Sequence, residues 1–316
     1  MSPRQVTVFG ASGFVGRHVV RRLASAGIRV IAASRHAEAA GFLKTMGNIG
    51  QVTPLSCDVG DRDRVAAVLE GSDGAVNLVG ILYQTPRRRF ADLHGTAPGT
   101  IAAAASAAGI DRFVHVSAIG ADQPRLSDYA ATKGAGERAA TAALPETVIL
   151  RPSVIFGAED DFFNRFAALA RVTPALPLFG GGENRFQPVY VGDVAEAVLA
   201  GLTRDDVLGR MFELGGPEIC SFRQLMVLLC AEIGRRRLLL PLPMAAADFI
   251  GFWGDLGARM GVRPQLTRDQ AKMLRTDNVV GPGADGLAAL GLRPRAMGSV
   301  LPSYLARYRP GRRGVH

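Results

Sequence analysis

Tyr129 and Lys133 stand four residues apart in the run Y-A-A-T-K, and Ser117 lies twelve residues before the tyrosine, where the apolar stretch from Phe113 ends. On a helix a spacing of four puts both side chains on one face. Hydride transfer to or from a carbonyl needs a proton donor or acceptor beside the carbonyl oxygen. A tyrosine of pKa ~10 does this poorly near neutrality. An adjacent ammonium lowers that pKa, each unit corresponding to ~1.4 kcal/mol, and it can also hold the ribose hydroxyls of a nicotinamide nucleotide. Ser117 can hydrogen-bond and orient the carbonyl oxygen. Lysine is rare here: Lys44, Lys133 and Lys272 are the only three among 37 basic residues. A lysine in a chain that otherwise writes arginine points to a compact, titratable ammonium at 133. The same trio also suits a protein that binds the nucleotide without turning it over, and the residues leave both readings open.

A phosphate-binding turn is needed to bring a dinucleotide to these groups, and Val6 to Gly16, V-T-V-F-G-A-S-G-F-V-G, supplies one. Val6 to Phe9 read as a buried parallel strand, and a helical pattern opens at Phe14. Gly10 turns the chain off the strand, Gly13 lets backbone approach a pyrophosphate, and Gly16 lets the helix pack closely. With Ser12, Phe14 and Val15 between them, they present free N–H groups and a positive dipole end to phosphates. A second strand, Arg29 to Ala33, ends in Ser34 and Arg35, with no acid before Glu38. An acid there would select the adenosine 2′-hydroxyl, whereas an arginine fork suits a 2′-phosphate. The pattern predicts NADP(H) in preference to NAD(H). Asp58, with Val59 after the third strand, is placed to accept from the adenine amino group. Asn77, Val79 and Gly80, after the fourth, are placed to line the ribose and pyrophosphate.

Strand and helix patterns alternate to about residue 155, the mark of an α/β doubly wound parallel sheet. We assign residues 1–155 to an NADP(H)-binding domain, completed by about 187–202, and 156–316 to a smaller, mainly helical lobe. Asp193 with Glu196, Ser221 with Gln224, and Thr267 with Gln270 read as capping boxes. In the lobe, Arg235-Arg236-Arg237 precede a leucine- and proline-rich run, and Phe249, Phe252, Trp253, Leu256 and Met260 recur at helical spacing. Packing inside the lobe is the plainer reading of that helix; a docking face for a membrane or a partner protein is the sharper one. Arg87-Arg88-Arg89 reads as a solvated loop.

Apolar content of 48% with 21% charge suits a globular chain, and no apolar run is long enough to span a membrane. A net charge of +9 favours anionic partners: a phosphorylated cofactor or an anionic membrane surface. Zinc-finger, aromatic-basic and helix-turn-helix signatures are missing, which argues against nucleic acid. The five histidines show no metal-ligand spacing, and Cys57, Cys220 and Cys230 fit core positions in a reducing compartment. The first strand begins so close to Met1 that no signal or transit peptide is expected.

With these pieces placed, the chain resembles the atypical or extended short-chain dehydrogenase/reductases, and most of all the nucleotide-binding accessory subunit of respiratory complex I and its bacterial relatives. The resemblance runs through Gly10–Gly16, Asn77–Gly80, His115–Ser117, Tyr129–Lys133 with Gly136 and Glu137, Arg151–Gly157 with Asp160–Phe166, and Gln187–Val191 with Asp193. It implies tightly held NADPH, a mainly structural role at the junction of a membrane enzyme, and no substrate turnover. It also implies that Arg151–Phe156, with Pro152, Val154 and Ile155, flank the nicotinamide. Mitochondrial members carry a presequence, so a cytoplasmic protein peripheral to the inner face of the inner membrane is expected, associated with respiratory complex subunits. The rival expectations are an active NADP(H)-dependent oxidoreductase on a small apolar carbonyl or hydroxyl substrate, with Tyr129 as acid/base, and a nucleotide sensor.

Overall fold

The structure, a computed structural model, describes residues 3–310. Its first half is built from β1 (Gln5–Phe9), α1 (Phe14–Ser25), β2 (Arg29–Ser34), β3 (Val52–Ser56), α2 (Arg62–Leu69), β4 (Gly74–Asn77), α3 (Ala97–Ala107), β5 (Arg112–Val116), α4 (Asp128–Ala143) and β6 (Val148–Pro152). There follow β7 (Ile155–Phe156), α5 (Phe163–Val172), β8 (Ala175–Phe179), β9 (Arg185–Phe186), β10 (Val189–Tyr190), α6 (Val191–Thr203), β11 (Met211–Leu214), β12 (Cys220–Ser221), α7 (Phe222–Glu232), β13 (Leu238–Leu242), α8 (Met244–Arg259), α9 (Arg268–Met273) and α10 (Met297–Leu305).

Seven parallel strands form the main sheet in the order β11-β6-β5-β4-β1-β2-β3. Parallel strands buried on both faces account for runs such as Val6–Phe9 without polar alternation. One core layer packs Val19, Val20 and Leu23 of α1 and Val194 and Val198 of α6 on the sheet. The other packs Val65 and Leu69 of α2, Ile101 and Ala105 of α3, and Ala140 of α4. Strand order reverses between β1 and β4, and that gap at the carboxyl ends of the strands is where doubly wound sheets bind ligands.

The edge strand β11 is the element that the sequence reading did not anticipate. It pairs with β6 from Met211↔Ile149 to Leu214↔Pro152, so residues within 156–316 complete the sheet. The segment read as one strand over Pro188–Val191 is only the two-residue β10, paired with β7 outside the main sheet. A separate core gathers Phe163, Phe222, Leu225, Met226 and Leu301.

Two of the three expected capping boxes form: Ser221 with Gln224, and Thr267 with Gln270. The third does not. Helix α6 starts at Val191, so Asp193 lies within its first turn, buried, and accepts from the Arg295 N–H at 2.7 Å. Glu196 instead pairs with Arg22 of α1 at 2.6 Å. Helix α8 also departs from the plainer expectation: Phe249, Phe252, Trp253, Leu256 and Met260 are all exposed. Of the cysteines, Cys57 is buried, whereas Cys220 and Cys230 are only half-buried. Among the described residues no helix is long and apolar enough to cross a membrane.

Candidate functional site

The glycine loop leaves β1 with Gly10 at φ +79°, a conformation open to glycine, and a Cβ there would lie 3.1 Å from the Leu78 carbonyl group. A Cβ on Gly16 would lie 2.2 Å from the Gly10 oxygen, so Gly16 lets α1 close onto the loop itself. Gly13 is the exposed N-cap of α1, with neither a side-chain cap nor an acid in the first turn. Uncapped N–H groups at a helix start, on the sheet's switch point, suit a diphosphate. Ser12, Phe14 and Val15 are half-buried around it, and Arg17 Nη2 donates to the Ser12 carbonyl at 3.2 Å.

Ser34 ends β2 with its hydroxyl buried and unpartnered, and Arg35 follows it exposed. Arg88 was read as part of a solvated loop, but it is half-buried. Its Nε is buried without a partner, and burial and then the Arg35 guanidinium push its pKa down. The tight turn Thr85–Arg88, closed by reciprocal backbone hydrogen bonds of 3.0 and 3.1 Å, carries it there. Asp58 is exposed and its Oδ1 accepts from the Gly60 N–H at 3.0 Å, while Val59 is buried in the core. Asn77 is engaged within the protein: Oδ1 accepts from the Val79 N–H at 3.0 Å and Nδ2 lies 3.2 Å from His115 Nδ1. It shapes the Val79–Gly80 backbone from behind.

Lys133 and Tyr129 share one face of α4, whose N-cap Ser127 accepts from the Ala130 N–H at 3.0 Å. Buried Lys133 donates to the Val116 carbonyl at 3.1 Å, with its Nζ 6.0 Å from the Tyr129 ring centre. Burial pushes this lysine down to about 8, opposed by Glu137 one turn along. Tyr129 goes against the sequence expectation. Burial, with the Asp269 carboxylate, pushes its phenol up to about 12. The lysine's opposing field does not prevail over desolvation here. Ser117 follows β5 with its hydroxyl buried and unpartnered. Pro152 is buried and Val154 and Ile155 are half-buried where β6 passes into β7. Arg151 turns the other way, into a buried bidentate pair with Glu137 at 2.9 and 2.7 Å.

Two contributors escaped the sequence reading. Asp269 of α9 accepts from the Asp128 and Tyr129 N–H groups at 2.7 and 3.0 Å, clasping the smaller lobe onto the start of α4. His94 sits in a π-helical turn, Ala91–Thr96, stacked on Phe90 (5.0 Å) and edge-on to Tyr129 (5.1 Å). Its Nε2 accepts from the Ile81 N–H at 3.0 Å, leaving Nδ1 buried and unpartnered. The His94 carbonyl abuts Gly136 of α4, where a Cβ would lie 1.9 Å from it. Gly136→Ala is therefore expected to destabilise the fold by about 2 kcal/mol in urea unfolding, because backbone on both sides must shift. A loss under about 0.5 kcal/mol, the scale of a neutral surface change, would contradict that packing.

The unpartnered Ser34 and Ser117 hydroxyls and the uncapped α1 fit a dinucleotide, and comparison with known proteins decides the class. The model of the NAD dependent epimerase/dehydratase family matches residues 6–215. The chain belongs to that family. Over 96% of its length this family member is 36% identical to an Arabidopsis thaliana protein, the mitochondrial NADH dehydrogenase [ubiquinone] 1 alpha subcomplex subunit 9, of which 78% is covered. The Mus musculus protein of that name is 34% identical over 91% of the chain and 76% of its own. A Caulobacter vibrioides ceramide reductase is 33% identical over 65% of this chain and 62% of its own. Among solved structures, an Escherichia coli NADPH-dependent quinone oxidoreductase holding NADPH superposes with a TM-score of 0.73 at 18% identity, covering 96% of this chain and 99% of that one. That likeness shows the short-chain dehydrogenase type of fold. This family member has an NAD(P)-binding fold.

Proposed function

We propose that the protein holds NADP(H) as a structural element and acts as an accessory subunit of a respiratory NADH dehydrogenase, peripheral on the cytoplasmic face of the inner membrane. The observation that carries this reading is the state of Tyr129. With its phenol pushed up to about 12 and Lys133 occupied by the Val116 carbonyl, the pair resembles a binding wall more than a poised acid/base couple. Likeness over 96% of the chain to a protein named as a subunit of that dehydrogenase supports the same reading.

The preference for NADP(H) rests on Ser34, Arg35 and Arg88. Two guanidiniums brought together, one with an orphaned buried N–H, are stabilised by an anion between them. Arg35→Asp or Arg88→Ala is expected to weaken NADPH binding about 10- to 100-fold, from charge-assisted hydrogen bonds of about 1.5–3 kcal/mol. NADH affinity should change no more than about threefold, since it lacks the 2′-phosphate. Titration calorimetry checks this, and equal wild-type affinity for the two nucleotides would sink the preference.

For the accessory role, the tagged chain should co-migrate with NADH dehydrogenase activity when native membranes are solubilised gently, and Tyr129→Phe should leave that association intact. Migration apart from the dehydrogenase would refute it.

The unpartnered Ser117 hydroxyl favours a second reading, reduction of a small carbonyl compound. Bound NADPH would supply the hydride. A phenol with a raised pKa keeps its proton at neutrality, so Tyr129 could protonate the oxygen while Ser117 holds it. Carbonyl-dependent NADPH oxidation that disappears in Tyr129→Phe would favour this reading over the accessory one.

A further inference from the structure

Beside the carboxyl end of α7, far along the chain from the nucleotide loop, lies an open crevice of about 540 Å³. Its walls are Arg235, Arg236 and Arg237, and Val227, Ala231 and Leu239 supply apolar surface between them. The arginines are held by backbone: Arg235 Nε donates to the Tyr308 carbonyl at 3.2 Å, and Arg237 Nε to the Ala170 carbonyl at 2.7 Å. None of the three has a carboxylate within 4.0 Å among the described residues. Glu232, on the same helix end, faces Arg309 at 3.8 Å instead. Three guanidiniums on a surface with no counter-charge mark a place for an external anion.

The surroundings indicate what carries the anion. Val172, Val227 and Leu238 are more than half exposed around the crevice, with the Leu238 N–H donating to Pro174 just beyond α5. The strand β13 leads through Pro243 into α8, whose Phe249 and Trp253 are 66% and 56% exposed. The acids of α8 are neutralised from the following segment, Asp248 by Arg275 and Asp255 by Arg268. Exposed aromatics on a short helix beside unpaired arginines make the pattern of an interfacial surface: rings at headgroup depth, guanidiniums on phosphates. A free phosphate would need the arginines but not the apolar rim.

We propose that the Arg235–Arg237 crevice and the exposed face of α8 dock this protein on an anionic lipid bilayer, with lipid phosphates seated among the three guanidiniums. The proposal stands apart from nucleotide binding and from the accessory role. Its test is flotation of the full chain with protein-free vesicles of phosphatidylcholine, alone or with about 30 mol % phosphatidylglycerol, read alongside emission from Trp253, the single tryptophan. Binding is expected only with phosphatidylglycerol, weakening with salt, and with a blue shift of the Trp253 emission. The triple variant R235Q/R236Q/R237Q should bind about 100-fold more weakly, at roughly fivefold per arginine. Its thermal melt should match the wild type, since the three side chains make only backbone contacts at the surface.

Should that variant misfold, Phe249→Ser with Trp253→Ser tests the apolar half and should also weaken binding. Equal binding to neutral vesicles would overturn the proposal, as would unchanged binding by both variants. Displacement by millimolar inorganic phosphate would reassign the crevice to a soluble anion. Binding to native membranes but not to protein-free vesicles would reassign the face to a protein partner.

Discussion

Acidification from pH 6.5 to about 4.5 is expected to remove about 5 kcal/mol of folding stability through two buried histidines. Burial, and then the Lys133 ammonium, pushes His94 down to about 2 and His115 down to about 3, with His115 itself a further, smaller influence on His94. Both side chains are about 1% exposed. In the unfolded chain both titrate near 6.5. Their folded values lie below that, so the stabilisation is complete above pH 6.5 and drains away as the pH falls, at about 2.7 kcal/mol per unit for the pair. A typical domain has only about 5–15 kcal/mol in hand, so the protein should approach unfolding. The buried Asp160, Asp193 and Asp269 carboxyls are pushed up and act in the opposite sense. The comparison that isolates the histidines is therefore with His94→Gln/His115→Gln, which keeps an acceptor for the Ile81 N–H and a partner for Asn77. Urea unfolding followed through this pH range should show a clearly shallower slope for the double variant. Identical slopes would show that the imidazoles take up protons in the folded state after all.

Removing one carboxylate from under the active helix should do comparable damage. Glu137 meets Arg151 in a bidentate pair, and both are more than nine-tenths buried. The other acids near Arg151, Asp122 at 3.5 Å and Glu213 at 3.7 Å, are too distant to replace that geometry. Glu137→Ala leaves a buried guanidinium undercompensated, a loss of about 3–5 kcal/mol. Glu137→Leu with Arg151→Met should be less destabilised than Glu137→Ala, because the double change takes both charges out of the core. The change also reaches the site. Glu137 is the group that holds the Lys133 pKa up, so its loss drives the lysine further below 8 and thins the ammonium population at neutral pH. NADPH affinity measured in the folded fraction should fall more steeply with rising pH than in the wild type. A Glu137→Ala protein with wild-type stability would mean that water solvates Arg151.

The doubly wound sheet was legible because each βα unit declares itself locally. Apolar runs of strand length end in glycine or a capping residue, and helical periodicity follows, as in Val6–Gly16 and in Asp61, whose side chain accepts from the Arg64 N–H. Two capping boxes were legible for the same reason, since both partners lie within four residues. Asp193 with Glu196 has that local spelling but a different outcome. The Arg295 N–H and the Arg22 side chain, about a hundred or more residues away in the chain, compete for those carboxylates more favourably. The strand β11 was missed because M-F-E-L is too short to show a period, and only pairing with β6 makes it a strand.

Residue type and spacing along the chain thus determined that a glycine loop opens the first helix, that an arginine follows the second strand, and that Ser117, Tyr129 and Lys133 gather at one end of the sheet. These depend on hydrogen bonds and side-chain periods that close within a few residues. Folding alone decided the chemical state of those groups. Asp269 reaches Tyr129 across 140 residues, Arg88 comes to Arg35 from another loop, and His94 is buried against both the tyrosine and the lysine. Desolvation and Coulomb fields sum over everything packed around a charge, and packing brings together groups that the chain order keeps apart.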